Sequence, residues 1–404
     1  MALAVPSVAE LAAAPAVRSA LEWFRRERAW INEQHLKLCR VAAPTFFEQK
    51  RAEWMADRFR SLGWEAKLDR AGNVIATLPG RREAALVAVT AHLDTVLAPR
   101  SEDEIRVAPD GRLLGPGVSD NGAGLAALLA IAAAWNAGPP IDDLTASPML
   151  VANVGEEGEG NLSGMRYLCR PGNGTKARAF LVLDGPSTDH ITCQALASRR
   201  FDITVTGPGG HSWSDYGIPN PVHALGRAIT LFTDETPRNI QGAPRSSFNF
   251  GVIEGGSSIN SIPSEARAKV DLRSEDPERI ERMAALLGSA TERAIEIENQ
   301  RGSGGRVMGR LREIGSRPGG GLRPGAPIIE SLKAVDTHLG IRSYLDCSST
   351  DANIPLSLGM AAVSIGAGGS GGGAHSPSEW FQPDGRELGL RRILLALCLL
   401  LKDC

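Results

Sequence analysis

Neither sign of charge dominates this chain: among 404 residues, 44 Lys plus Arg stand against 46 Asp plus Glu, with no long basic run to track a phosphate backbone. Nucleic acid is therefore not an expected partner. Long hydrophobic runs are lacking as well. The most apolar stretches, 122–134 and 393–401, are shorter than the roughly 20 residues that cross a bilayer, so no membrane association is expected. The N-terminal stretch opens with apolar and small residues but has no basic flank, and Pro6, Glu10 and Pro15 interrupt it, which argues against a signal peptide. Six cysteines, Cys39, Cys169, Cys193, Cys347, Cys398 and Cys404, occur without CxxC spacing, excluding a zinc knuckle and a dense disulfide framework. Reduced thiols and a cytoplasmic location are the expectation.

At this length one hydrophobic core stops growing, which favours two domains. Apolar positions at helical spacing predict helices over 17–38 and 48–62. Strands are predicted at 73–77 and 85–90, the second a continuous apolar run of the kind buried on both faces of a sheet. A turn-rich loop, GPGVSDNGAG, feeds a small-residue helix over 122–135, and 149–154 and 180–183 read again as buried strands. Strands alternating with helices define an α/β domain, and these strands end on acids, where open α/β sheets place ligand sites. From about Ala197 the order becomes strand 200–206, helix 221–232, strands 247–253 and 266–271, helix 277–299 and strand 306–314. This is the ferredoxin-like β-α-β-β-α-β arrangement. The α/β pattern resumes with helix 328–339, strand 361–365 and a last helix over 386–401, and there is no internal repeat.

A hydrolytic centre with two metal ions needs imidazole and carboxylate ligands, one carboxylate able to bridge ions about 3.5–4 Å apart, and one unligated base. All of these occur at strand ends. His92 and Asp94, in AHLDTV, have i, i+2 spacing, so on a strand both face one side and Asp94 can orient the imidazole. The competing reading is a His–Asp pair in a surface turn. Glu156 and Glu157 are adjacent and cannot point the same way, so one would bind metal while the other takes a proton from the attacking water. Alone, acidic pairs are more often solvated loop residues. Asp120, just before a helix, competes with a role as its N-cap, and Asp184, before Gly185-Pro186, with a role as turn former. Their joint occurrence shifts the balance toward a site.

The segments HLDTV, SDNGAG, GEEGEG, LDGP, GPGGHSW, GGSSINSIPSEARAKVDLRS and GGGAHSPSEW occur in that order. In carrying them the chain, from about residue 30 onward, resembles the zinc-dependent exopeptidase superfamily of peptidase T, carboxypeptidase G, succinyl-diaminopimelate desuccinylase, acetylornithine deacetylase and aminoacylase. SSTDANIP and the LDGP turn bring it nearest the peptidase T-like branch, from which it departs at PNPVHAL and at Gly122, where that branch has Lys. The resemblance implies a three-layer α/β/α catalytic domain from residues 1–196 and 318–404, with an inserted ferredoxin-like α+β lid or dimerisation domain at 197–317. It implies two zinc ions, with cobalt or manganese as substitutes: His92 and Asp184 completing one, Glu157 and His375 the other, and Asp120 bridging. Glu156 is then the general base, and Asp120-Asn121 is expected to be a cis peptide. In the inserted domain the resemblance suggests His211 as donor to the tetrahedral oxyanion, Asn260 for the substrate backbone and Arg273 for a free carboxylate. A homodimer through that domain is implied too. The implied activity is hydrolysis of amide bonds in small peptides, as in di- or tripeptide aminopeptidases. An N-acyl-amino-acid amidohydrolase, a deacetylase or a carboxypeptidase is the alternative.

Readings from other classes are weaker. Gly366 to Gly371 matches the dinucleotide-binding GxGxxG after a strand, but GGAHSPSEW does not open a helix that could receive a pyrophosphate. Those glycines better serve a sharp turn beside His375. A non-catalytic binding protein that kept the fold would be expected to have lost ligands, and every one is present. His35, His190, His223 and His338 fit no ligand pattern, and Cys193 and Cys347 read as small apolar residues.

Overall fold

The computed structural model describes residues 7–80, 85–172, 177–237 and 244–402. Residues 1–6 of the N-terminal stretch, and Cys404, lie outside the described residues. The chain forms two compact units, Met1–Ala195 with Gly320–Cys404, and Leu196–Gly319.

In the first unit, strand Ala85–His92 pairs in parallel with Ala146–Asn153 on one side and Ala177–Leu183 on the other. The sheet extends through antiparallel Val74–Thr77 and Glu65–Leu68 beyond the former, and through Ala361–Ile365 and His190–Ala195 beyond the latter. Successive side chains of a strand face opposite sides. Val87, Val89 and Ala91 therefore join Leu181 and Leu183 in one core, while Ala88 joins Val151, Phe180 and Val182 in another. Helices Pro15–Arg26, Arg28–Arg40, Gln49–Ser61, Gly122–Trp135, Pro327–Leu339 and Arg386–Lys402 supply the larger core. Short helices Ser163–Leu168 and Asn353–Ser357 supply the smaller. The outcome is the three-layer α/β/α architecture. Its parallel strands deliver His92, the Glu156–Glu157 pair and Asp184 at their carboxyl ends.

Several expectations needed correction. The helix predicted over 17–38 is two, parted at Glu27, whose φ of −100° and ψ of 25° leave the helical region. Across the break the rings of Trp23 and Trp30 meet edge to face at 5.4 Å. Strands Glu65–Leu68, His190–Ala195 and Tyr344–Ser348 were not anticipated, nor was a small sheet of Ser370–Gly372, Trp380–Gln382, Leu113–Leu114 and Arg106–Val107. The two- and three-residue strands of the small sheet cannot display a period. The glycine-rich stretch enters that small sheet and opens no helix, as its sequence suggested. A Cβ on Gly366 would run into the carbonyl of Ser187, which explains glycine there.

The second unit is a four-stranded antiparallel sheet ordered Ser246–Gly255, Glu265–Ser274, Ala197–Thr206, Met308–Arg317. Helices Pro221–Glu235 and Pro277–Arg301 pack on it, burying Leu225, Phe232, Met283 and Leu287 against Ile203, Val205, Val270 and Leu272. Two helices on one face of an antiparallel sheet in this chain order are the ferredoxin-like fold.

Candidate active site

The site grows from the end of Ala85–His92. His92 is buried, and its Nδ1 lies 2.9 Å from the Asp94 backbone carbonyl, an acceptor only, so Nδ1 carries a proton. The opposite nitrogen, Nε2, meets Asp120 Oδ1 at 3.0 Å. The Asp94 carboxylate stands farther off, 3.5 Å from Nδ1. Its closer partners are the backbone N–H groups of Glu156 and Glu157, which donate at 3.0 and 2.9 Å, and the Thr45 hydroxyl at 3.0 Å. Asp94 thus orients the acidic pair at least as firmly as the imidazole.

Asp120 sits between two imidazoles: its other oxygen, Oδ2, lies 3.1 Å from His375 Nε2, which also reaches Glu157 Oε1 at 2.8 Å. The competing N-cap role falls to its neighbour, since Asn121 accepts the Gly124 N–H at 3.1 Å and donates to the Leu183 carbonyl at 2.7 Å. The Asp120–Asn121 peptide is cis. His375 has a φ of 62°, in the left-handed region that non-glycine residues rarely occupy and that recurs at functional sites.

One anchoring residue was missed by sequence reasoning. Buried Glu379 accepts the backbone N–H groups of Gly117, Ser119 and Asp120 at 2.6, 2.7 and 2.8 Å, tying the Asp120 loop to the segment that carries His375. Its place four residues after His375, in HSPSEW, was the available signal. Asp351, in SSTDANIP, is also buried and accepts the Asn153 side-chain amide at 2.6 Å.

Donor atoms of three overlapping groups, His92–Asp120–Asp184, His92–Glu156–Glu157 and Asp120–Glu157–His375, lie within 4.8 Å of one another. The five residues proposed as ligands and the proposed base are thereby brought together. Their electrostatics are those of a cation site. Burial, and then the charge of Glu156, push Glu157 up to about 7. Burial and the charge of Asp120 hold Asp184 well above the carboxylate range, and burial and Glu156 raise Asp351 to about 7. Burial alone would lower His92, but its hydrogen bonds to Asp120 and Asp94 outweigh that and hold it well above its ordinary value. The Asp120 hydrogen bond is the main reason His375 rises to about 9. Asp120 itself is held low, because the two imidazoles overcome its burial. A crowd of oxygen donors with two imidazoles fits divalent ions of the zinc type and offers no soft sulfur ligand.

The remaining candidates belong to the second unit. His211 lies on a two-residue ribbon paired with Ser261–Ile262, and its Nδ1 accepts the N–H groups of Trp213 and Ser214 at 3.2 and 3.3 Å, which leaves the ring proton on Nε2. Asn260 contributes its carbonyl to the Ser212 N–H at 3.0 Å and its side-chain oxygen to the Ser258 hydroxyl at 2.6 Å. Arg273 donates from Nε to Asp271 at 2.7 Å.

Residues 197–294 match the sequence model of a peptidase dimerisation domain, and residues 73–206 that of peptidase family M28. Acetylornithine deacetylase of Myxococcus xanthus is 28% identical over 332 residues, covering 77% of this chain and 82% of that protein. Cytosol non-specific dipeptidase of Escherichia coli is 24% identical over 362 residues, covering 77% and 70%. A tripeptidase from Staphylococcus aureus shares the fold, with a TM-score of 0.74 at 19% identity over 92% of this chain and 98% of that one. The fold and these matches define a hydrolytic enzyme with a catalytic and a dimerisation-type domain. They bear out the motif resemblance: the protein is a peptidase or amidohydrolase related to the zinc-dependent exopeptidases.

Proposed function

We propose that the protein is a two-zinc hydrolase of amide bonds in small peptides, acting in the cytosol as a homodimer joined through the second unit. The observation that carries this reading is Asp120, whose two carboxylate oxygens each face a different imidazole at 3.0 and 3.1 Å, the disposition a bridging ligand requires. His92 and Asp184 would hold one ion with Asp120, and Glu157 and His375 the other. Zinc in these positions would supply a Lewis acid for the scissile carbonyl and lower the pKa of water. Glu157 is the member of the acidic pair that reaches His375, which leaves Glu156 to take the proton of the attacking water and hand it to the departing amine. His211 offers Nε2–H to the developing oxyanion, Asn260 meets the substrate backbone, and Arg273 keeps its terminal guanidinium nitrogens for a free carboxylate. A dipeptidase and a tripeptidase among the similar proteins favour peptides, while the deacetylase makes N-acyl amino acids the competing substrate class.

The test is a panel of di- and tripeptides against N-acetyl and N-succinyl amino acids, with the protein zinc-loaded and then chelated. Peptide cleavage that disappears with chelation and returns with zinc is expected. Cleavage of N-acyl amino acids alone would move the assignment to a deacylase, and zinc-independent turnover would overturn it. Sedimentation showing only monomer under active conditions would remove the homodimer. Among the described residues no helix is long and apolar enough to cross a membrane, in keeping with the cytosolic assignment.

A further inference from the structure

His375 lies on the connection between Ser370–Gly372 and Trp380–Gln382, so the small sheet carries it. The same sheet borders a cavity of about 410 Å³, within the range of small-molecule sites, about 300–1,000 Å³. Leu114, Pro116, Leu97 and Pro377 give it an apolar wall; Pro377 is two residues beyond His375, and Leu97 three beyond Asp94. Two guanidinium side chains, Arg100 and Arg106, also line it. Arg106 stands directly opposite Leu114 in the strand register, so the cation and the apolar wall share one face. Among the described residues no carboxylate pairs with either guanidinium. The one acid of the wall, Glu104, accepts the Arg100 backbone N–H at 2.8 Å, and two cations against one anion leave the cavity positive.

We infer that this cavity receives a substrate group with an aliphatic body and a terminal carboxylate. The inference deepens the proposed function and rests on it for the position of the scissile amide. Methylene groups cover the apolar wall, and a guanidinium without a partner presents a fork that matches a carboxylate. A purely aliphatic group would leave both cations solvated and draw nothing from them. The carboxylate has two chemical sources: an acidic side chain beside the scissile bond, or a dicarboxylic acyl group on the amide.

Matched substrates separate them. Zinc-loaded full-length protein is assayed with Glu-Ala against Gln-Ala, and with N-succinyl-alanine against its succinamoyl analogue. The carboxylate member of one pair should be preferred by roughly 10–100-fold in kcat/KM, the span of a charge-assisted hydrogen bond. The preferred pair identifies the source. The double variant Arg100→Gln with Arg106→Gln should bring the ratio near unity, chiefly by lowering kcat/KM for the carboxylate member. A wild-type protein with no preference, or a double variant that retains it, overturns the inference. If no amide is turned over, calorimetry with butyrate against butyramide decides. A butyrate preference lost in the double variant keeps the pocket while the proposed function falls, and equal binding ends the inference.

Discussion

Replacing Glu379 by Gln changes one oxygen into an NH2 group and leaves the shape intact. The amide oxygen can still accept the Ser119 and Asp120 N–H groups that Oε1 accepts at 2.7 and 2.8 Å, but the NH2 then faces the Gly117 N–H that bonded Oε2 at 2.6 Å. One charge-assisted hydrogen bond, about 1.5–3 kcal/mol, is lost, two others weaken to neutral ones, and a buried N–H is left opposing another donor. Burial raises the Glu379 pKa and so opposes its charge, which returns part of the cost when the charge is removed. The net loss is about 2–4 kcal/mol of stability in the first unit. Because the same contacts place Asp120, metal affinity should fall about 10–100-fold, the usual effect of losing a group that orients a ligand. Thermal unfolding with and without zinc, and zinc titration against a competing chelator, read the two effects separately. A variant with wild-type zinc affinity and an unchanged midpoint would show that the Asp120 loop holds its shape without this clamp.

The other predictions concern the centre and its support. Asp120→Ala should lose bound zinc, whereas Glu156→Gln should keep zinc and lose turnover by about 10²–10⁴-fold; near-normal turnover in Glu156→Gln would reverse the roles within the pair. In the metal-free protein the His375 hydrogen bond to Asp120 raises its pKa to about 9, and burial raises Glu157 to about 7. Both are protonated below those values and must lose the proton to bind metal, as must His92 and Asp184, which are also held above their ordinary values, so zinc affinity should climb with pH through about 9 and more steeply below about 7. A flat profile in chelator competition would contradict this. Arg392 is fully buried and forms a two-bond pair with Asp336 at 2.6 and 2.7 Å. Asp336→Asn should therefore cost about 3–5 kcal/mol in denaturant unfolding, because the cation would remain buried without its charge partner.

The long apolar strands were legible because burial on both faces writes an unbroken hydrophobic run, as in 85–90. The small sheet was not, since two- and three-residue strands such as Leu113–Leu114 carry no period and depend on partners far along the chain. Among candidate site residues, His92, Asp120, Glu157, Asp184 and His375 stood out because metal ligation would restrict residue type and each lies in a recognisable motif. Glu379 stayed hidden because its partners are backbone amides some 260 residues away, which leave no trace in side-chain pattern. For Asp94 the sequence suggested a contact with the ring, while its shorter bonds go to the next strand's loop. Spacing along one strand could not show that.

The segment 371–381 closes onto residues 115–120 only after the whole of Leu196–Gly319 has been synthesised between them. A nascent chain that has already exposed His92, Asp120 and both glutamates still lacks an imidazole for the far side of Asp120 and the clamp that shapes its loop. Under the proposed function, ion capture therefore waits until residues 371–381 have been made, and a chain that stops short of them has no complete site.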